Sequence, residues 1–280
     1  MTFRVNKKFF QLSAYWNKLK LLTLKQLFRL KVPIKTQTTV RGHEVTFLTS
    51  SYLEYFLRAK EGFNREPITV NWILDIIRPG EVVYDIGANV GTYTLLMGKR
   101  VMSGGGKVYA LEPAAANFLS LTRNIFANQL DGVVIPIPLA CDNESRLSIL
   151  TLSSEIPGSA LHYLSPVNSE ASSSGSNLQQ GVFSMSLDQL TEEYDVLFPN
   201  HIKIDTDGGE MGIVEGMKVV LGDSRLRSVM IEIDFDLSQG IIEEEFRKAG
   251  FEEKGRQRVS RRNNANVLYV RVKGAREERI

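Results

Sequence analysis

Three short stretches of this sequence carry residue types at spacings suited to chemistry on one bound ligand. The first is VVYDIGANVGTYT, Val82 to Thr94: an apolar run ends in Asp85, and a turn with Gly87 and Gly91 leads into a helix. Glycine at such a turn adopts positive φ and lets the backbone approach a ligand closely. The helix start beyond it offers free N–H groups to an anion such as a carboxylate. The dinucleotide fingerprint G-x-G-x-x-G fails, because Asn89 and Thr92 stand where glycines are required, and Gly98-Lys99-Arg100 does not complete a phosphate-binding loop. Asp85 would repel a pyrophosphate and suits a ligand carrying an ammonium or sulfonium charge. The second stretch is VYALEP, whose Glu112 lies 21 residues past Gly91. That spacing is the one at which a carboxylate takes ribose hydroxyls in doubly wound nucleotide sites. The third is KIDTDGGE, with Asp205, Asp207 and Glu210 following an apolar strand, and these are candidates for taking a proton from a hydroxyl nucleophile.

These residues need a scaffold that brings strand ends together. Val82–Ile86, Lys107–Leu111, 133–137, His201–Ile204 and 228–233 read as strands, with helices over 91–100, 114–128, 210–221 and 241–249 between or after them. The stretches 251–254 and 266–272 read as a closing antiparallel pair. This predicts an α/β fold: a doubly wound, mostly parallel seven-stranded sheet with an antiparallel C-terminal strand. In such sheets ligands bind outside the carboxyl ends of the strands, so Asp85, Glu112, Asp205 and Glu232 are expected to face one crevice. Upstream, 38–47 reads as a hairpin around Gly42, and 51–60 and 66–77 as helices, the second started by Pro67 and stopped by Pro79-Gly80. The stretch 143–183 interrupts the alternation, with 146–150 able to form a strand. Its Ser/Gly/Asn-rich part, 165–181, reads as a mobile loop, either a substrate lid or an idle surface insertion.

Composition narrows the classes. The chain has 280 residues, 43% hydrophobic and 24% charged, with one cysteine, Cys141, and three histidines. No internal disulfide and no zinc-finger spacing can be written. Met1 to His43 holds ten Lys/Arg and no acid, which leaves 24 basic against 32 acidic residues in the rest. The acidic body argues against a specific nucleic-acid partner. Residues 1–35 form a basic amphipathic extension with two readings: contact with an anionic membrane surface, or packing on the body. His201 is expected at the strand end away from the crevice, and Trp72 in the core. His162 and Tyr163 flank the loop. Arg261 to Asn264 reads as a polar hairpin turn. Asp205, Asp207 and Glu232 offer hard oxygen ligands, but their spacing is no metal signature, so pairing with Lys203 or backbone N–H groups is expected instead.

DIGANVGTYT, LEP followed by Asn117 and Phe118, and IKIDTDGGE together resemble the FkbM-type S-adenosylmethionine-dependent methyltransferases, over roughly residues 64–233. The third motif departs from the family's usual K-I-D-x-E-G-x-E at Asp207, which shortens the side chain by one methylene, and at Gly209. The resemblance implies a Rossmann-like class I methyltransferase domain over 81–280, preceded by the hairpin and helices of 36–80. It implies S-adenosylmethionine as cofactor, with Asp85, Gly87, Asn89 and Gly91 at its methionine end, Glu112 on the ribose and Asp142 at the adenine amino group. It also implies methyl transfer to a hydroxyl of a saccharide, glycolipid or natural-product acceptor. Residues 1–35 do not read as a secretory signal, so a cytoplasmic location is expected, membrane-peripheral if the extension takes the first of its two readings. Two alternatives stay open at this point: a non-catalytic S-adenosylmethionine-binding fold, and methylation of nitrogen or RNA.

Overall fold

The computed structural model describes Thr23, Gln26, Phe28, and residues 32–167, 178–259 and 263–272. Most of the basic extension, the centre of the Ser-rich stretch, and Arg261 and Arg262 lie outside the described residues. The first described strands, β1 (Ile34–Val40) and β2 (His43–Thr49), form an antiparallel hairpin. Its turn residues Arg41 and Gly42 both take positive φ, the twist that a two-residue hairpin turn requires. Helical segments Glu54–Lys60, Gly62–Arg65, Pro67–Asn71 and Trp72–Ile76 follow, the first and last with π-helical winding.

The main sheet contains β3 (Val82–Ile86), β4 (Lys107–Leu111), β5 (Val134–Ile137), β10 (His201–Ile204), β11 (Ser228–Asp234), β12 (Phe251–Arg258) and β13 (Asn264–Arg271). Its order is β12-β13-β11-β10-β3-β4-β5. The contacts among β11, β10, β3, β4 and β5 are all parallel, and β13 pairs antiparallel with both β11 and β12. This is the sheet that the alternating pattern predicts. Three strands, Val82–Ile86, Lys107–Leu111 and His201–Ile204, have the bounds read from sequence.

Strand alternation builds two cores, one on each face. Tyr84, Ile86, Tyr109, Leu111, Ile202, Ile204, Ile231 and Ile233 enter one core. Val83, Val108, Ala110 and Met230 enter the other, with Trp72, Leu95 and Leu96. Asp85, Lys203 and Glu232 follow the parity of the second set, so they stand on that face as a buried polar layer. Trp72 is in the core as expected, its Nε1 donating to Ser228 Oγ at 2.8 Å. His201, at the far end of its strand from the turn carrying Asp205, is held between Ser228 Oγ (2.7 Å) and Glu81 Oε2 (2.8 Å).

The hairpin is tied to the helix Ala115–Ala127 and its C-terminal residue by asparagines. Asn124 Oδ1 accepts from Leu48 N–H at 2.8 Å, while Asn128 accepts from Thr46 N–H at 2.9 Å and donates back to Thr46 O at 2.6 Å. The interrupting stretch corrects the sequence reading. Strands β6 (Ala140–Cys141), β7 (Arg146–Thr151), β8 (Tyr163–Pro166) and β9 (Gln179–Met185) form a second sheet in the order β6-β9-β7-β8, so that 165–166 and 179–181, read as loop, belong to strands. Residues 168–177 lie outside the described set. The helix expected over 210–221 is two pieces, Glu210–Glu215 and Lys218–Gly222, parted around Gly216. A Cβ on Gly216 would come within 2.4 Å of Asp142 O, so close packing there leaves room only for glycine.

Candidate active site

The carboxyl ends of β3, β4 and β10 open on a cleft of about 380 Å³. Its wall includes Gly87, Asn89, Glu112, Asp142, Asp205 and Asp207, six of the nine predicted site residues. Gly87 is required by crowding as well as conformation: its φ is 80°, and a Cβ there would lie 1.9 Å from Asp205 O. The two strand ends can therefore meet only through a bare backbone. Asn89 also takes positive φ, and its side-chain amide donates to Ser159 O at 2.8 Å. Gly91 and Asp85 do not line this cleft. A Cβ on Gly91 would strike Leu121 at 2.8 Å, so this glycine serves helix packing. Asp85 follows the opposite strand parity from Ile86 and lies beneath the turn, where Thr94 Oγ1 donates to it at 2.5 Å. It faces a smaller adjoining cavity, which Gly87, Asn89 and Asp205 also line.

Glu112 is 4% exposed. Its Oε2 accepts from Asn89 N–H at 2.7 Å and its Oε1 from Ala114 N–H at 2.9 Å. Burial pushes its carboxyl up to about 7 even against these donors. Each oxygen keeps a lone pair for hydroxyl donors of a ligand. Asn117, next along, donates to Ser159 O at 3.1 Å and accepts from Gly158 N–H at 2.8 Å, which fixes the segment from the interrupting stretch against the cleft. Asp142 pairs with Arg146 at 2.6 Å, and its other oxygen faces Gly212.

The KIDTDGGE segment divides its carboxylates among different tasks. Asp205 accepts from Lys203 Nζ at 2.8 Å. Burial favours its neutral form, but Lys203, Arg58 and Arg65 together outweigh that and hold its carboxyl below the ordinary aspartate range. Asp207, at φ 58°, accepts from Leu161 N–H at 2.6 Å. Burial and the nearby Asp205 charge push its carboxyl up. Glu210 is a correction. It is absent from the cleft wall, and its carboxylate accepts from Thr206 N–H, Thr206 Oγ1 and Gly208 N–H at 3.0–3.2 Å. Held by these donors, it shapes the turn that presents Asp205 and Asp207. The single crevice of four carboxylates is corrected too: Glu232 accepts from Asn264 at 2.6 Å on the neighbouring strand, and burial pushes it up to about 8.

His162 lines the cleft, its Nδ1 accepting from Ser153 N–H at 3.2 Å, and burial lowers its basicity. Arg58, from the first π-helical segment, was missed from sequence. Its charge bears on Glu112, Asp205, Asp207 and His162 alike. No local pattern signals it, since it reads as one basic residue on a mixed helix.

A seven-stranded sheet with one antiparallel strand inserted next to the edge, and a cleft at the ends of its first, second and fourth strands in chain order, defines a class I methyltransferase. The chain belongs to the FkbM methyltransferase family, whose sequence model, Methyltransferase FkbM domain, matches residues 85–253. A curated relative, the hexuronic acid methyltransferase AglP of Haloferax volcanii, is 27% identical over 195 residues, covering 69% of this chain and 72% of its own. Among solved structures, the methyltransferase FkbM from Methylobacillus flagellatus KT aligns with a TM-score of 0.48 at 14% identity, over 70% of this chain and 45% of that one. The precorrin-6y C5,15-methyltransferase from Geobacter metallireducens aligns with a TM-score of 0.43 at 12% identity, over 74% and 88%. Among the described residues no helix is long and apolar enough to cross a membrane.

Proposed function

We propose that this chain transfers a methyl group from S-adenosylmethionine to a hydroxyl oxygen of a saccharide or similarly hydroxylated acceptor. The observation that carries this reading is Glu112: a buried carboxylate, clamped by two backbone N–H groups, at a strand end in a cleft large enough for a small-molecule cofactor. The donor set fits the cofactor. Glu112 would hold the ribose hydroxyls, Asp142 the adenine amino group, and the Gly87–Asn89 turn the methionine end. When bound, the cofactor supplies an electrophilic methyl group on sulfur. The chain's part is then to align an acceptor oxygen and receive its proton.

Asp205 and Asp207 share that part. Asp205, kept ionised by Lys203, favours positive charge beside it and can orient a hydroxyl. Asp207 is the better base, because burial and the Asp205 charge raise its proton affinity. A placed base of this kind contributes about 10²–10⁴-fold. The saccharide assignment draws support from the printed activity of the Haloferax relative. The test is turnover: S-adenosylmethionine is incubated with the protein and a panel of neutral and acidic sugars, and S-adenosylhomocysteine and methylated sugar are followed by mass spectrometry. Stoichiometric appearance of both supports the reading. Cofactor binding with no product from any hydroxylated acceptor would count against it.

A further inference from the structure

The smaller cavity beside the cleft has about 30 Å³, room for one small polar group rather than a sugar ring. Its wall sets three cations, Arg58, Arg65 and Lys203, against Glu66, Asp85 and Asp205. The charges do not cancel as the count suggests. Lys203 is taken by Asp205. Burial pushes Glu66 and Asp85 toward their neutral acids. The two guanidiniums are left over.

Both are placed to meet a ligand. Arg58 is oriented by Nε and Nη2, which donate to Gly158 O at 3.1 and 3.0 Å, and its Nη1 has no partner among the described residues. The Arg65 side chain has no hydrogen-bond or ion-pair partner among the described residues, and its backbone carbonyl is held by Gln257. Both charges reach Asp205. Two unmatched cations next to a site for a sulfonium cofactor would repel it, unless an anion enters with it. The planar fork of arginine matches a carboxylate.

We propose that Arg58 and Arg65 form a carboxylate-recognition subsite that opens on the cleft beside Asp205. The proposal rests on the functional reading above and deepens it. The ligand proposed is the carboxylate of an acidic sugar acceptor, and the methionine carboxylate of the cofactor is the rival source.

Calorimetry on the full chain and on Arg58→Gln and Arg65→Gln separates them. One pair of probes is S-adenosylmethionine and its decarboxylated analogue. The other is glucuronic acid and glucose, titrated with S-adenosylhomocysteine present. Thermal unfolding checks each variant, and Arg65, being exposed, keeps the test alive should Arg58→Gln fail to fold. The expected result is a loss of about tenfold or more for glucuronic acid, and less than about twofold for glucose and for both cofactor probes. A loss confined to S-adenosylmethionine, with glucuronic acid unaffected, assigns the arginines to the cofactor and overturns the acceptor subsite. Equal losses within both pairs, or wild-type affinity throughout, overturn the subsite. Wild-type protein that binds neither form of the cofactor overturns the functional reading, and the subsite with it.

Discussion

Replacing Lys203 by methionine tests the buried polar layer beneath the cleft. Lys203 is 2% exposed and bonded to Asp205 at 2.8 Å, with its ammonium 5.3 Å from the centre of the Tyr93 ring. Asp85 stands beside it in the β10–β3 register. Methionine keeps the length and the apolar stem but removes the charge, leaving Asp205 and Asp85 buried without their cation. Breaking a buried pair in this way costs about 3–5 kcal/mol. In the wild type, Asp205 titrates below its unfolded value, so its stabilisation is present above the ordinary aspartate range and lost as pH falls through the folded pKa. Burial already pushes Asp85 up, and without Lys203 it is opposed less at both aspartates, so Asp205 rises and Asp85 rises further. The penalty is then full at neutral pH and relieved as acid protonates them. Urea unfolding followed by circular dichroism should show the full cost at pH 8, shrinking by about 1 kcal/mol or more at pH 5. A cost below about 1 kcal/mol at pH 8, or one that grows as pH falls, would refute the argument.

Other outcomes follow from the same geometry. With its carboxyl at about 7, Glu112 should lose hydroxyl-accepting capacity in acid, so S-adenosylmethionine affinity should fall as pH drops through that value and Glu112→Gln should bind weakly with a flat profile. Gly87→Ala forces a side chain into Asp205 O at positive φ and should cost about 2 kcal/mol or more by denaturant titration, with cofactor binding lost. Deleting residues 1–31 removes eight of the ten N-terminal cations and should abolish sedimentation with anionic vesicles, while pelleting equal to the full chain would remove the membrane reading.

The sheet was legible because its parallel strands are continuous apolar runs ended by turn residues and acids, as Val82–Ile86 and His201–Ile204 show. Of the second sheet, only the strand at 146–150 could be read. Its longest member, Gln179–Met185, reads QQGVFSM, and its pairing with Arg146–Thr151 depends on residues about 30 positions away. Gly87, Asn89, Glu112, Asp205 and Asp207 could be named in advance, because strand ends in such a sheet converge by topology alone. Asp85 faces the smaller adjoining cavity and not the main cleft, a distinction that strand-end position alone does not encode. Arg58, Asn117 and His162 come to the cleft through packing among the hairpin, the helices and the interrupting stretch, which no local pattern encodes. Glu210 looked like an acid free for chemistry, and only its hydrogen bonds to Thr206 and Gly208 reveal its place in the turn.

Calorimetric titration of the purified protein with S-adenosylmethionine, with NADH in parallel, tests the central claim most directly. Saturable one-to-one binding of S-adenosylmethionine, lost in Glu112→Gln, with no heat from NADH, is the predicted result. Binding of NADH, or S-adenosylmethionine affinity unchanged by that substitution, would contradict it.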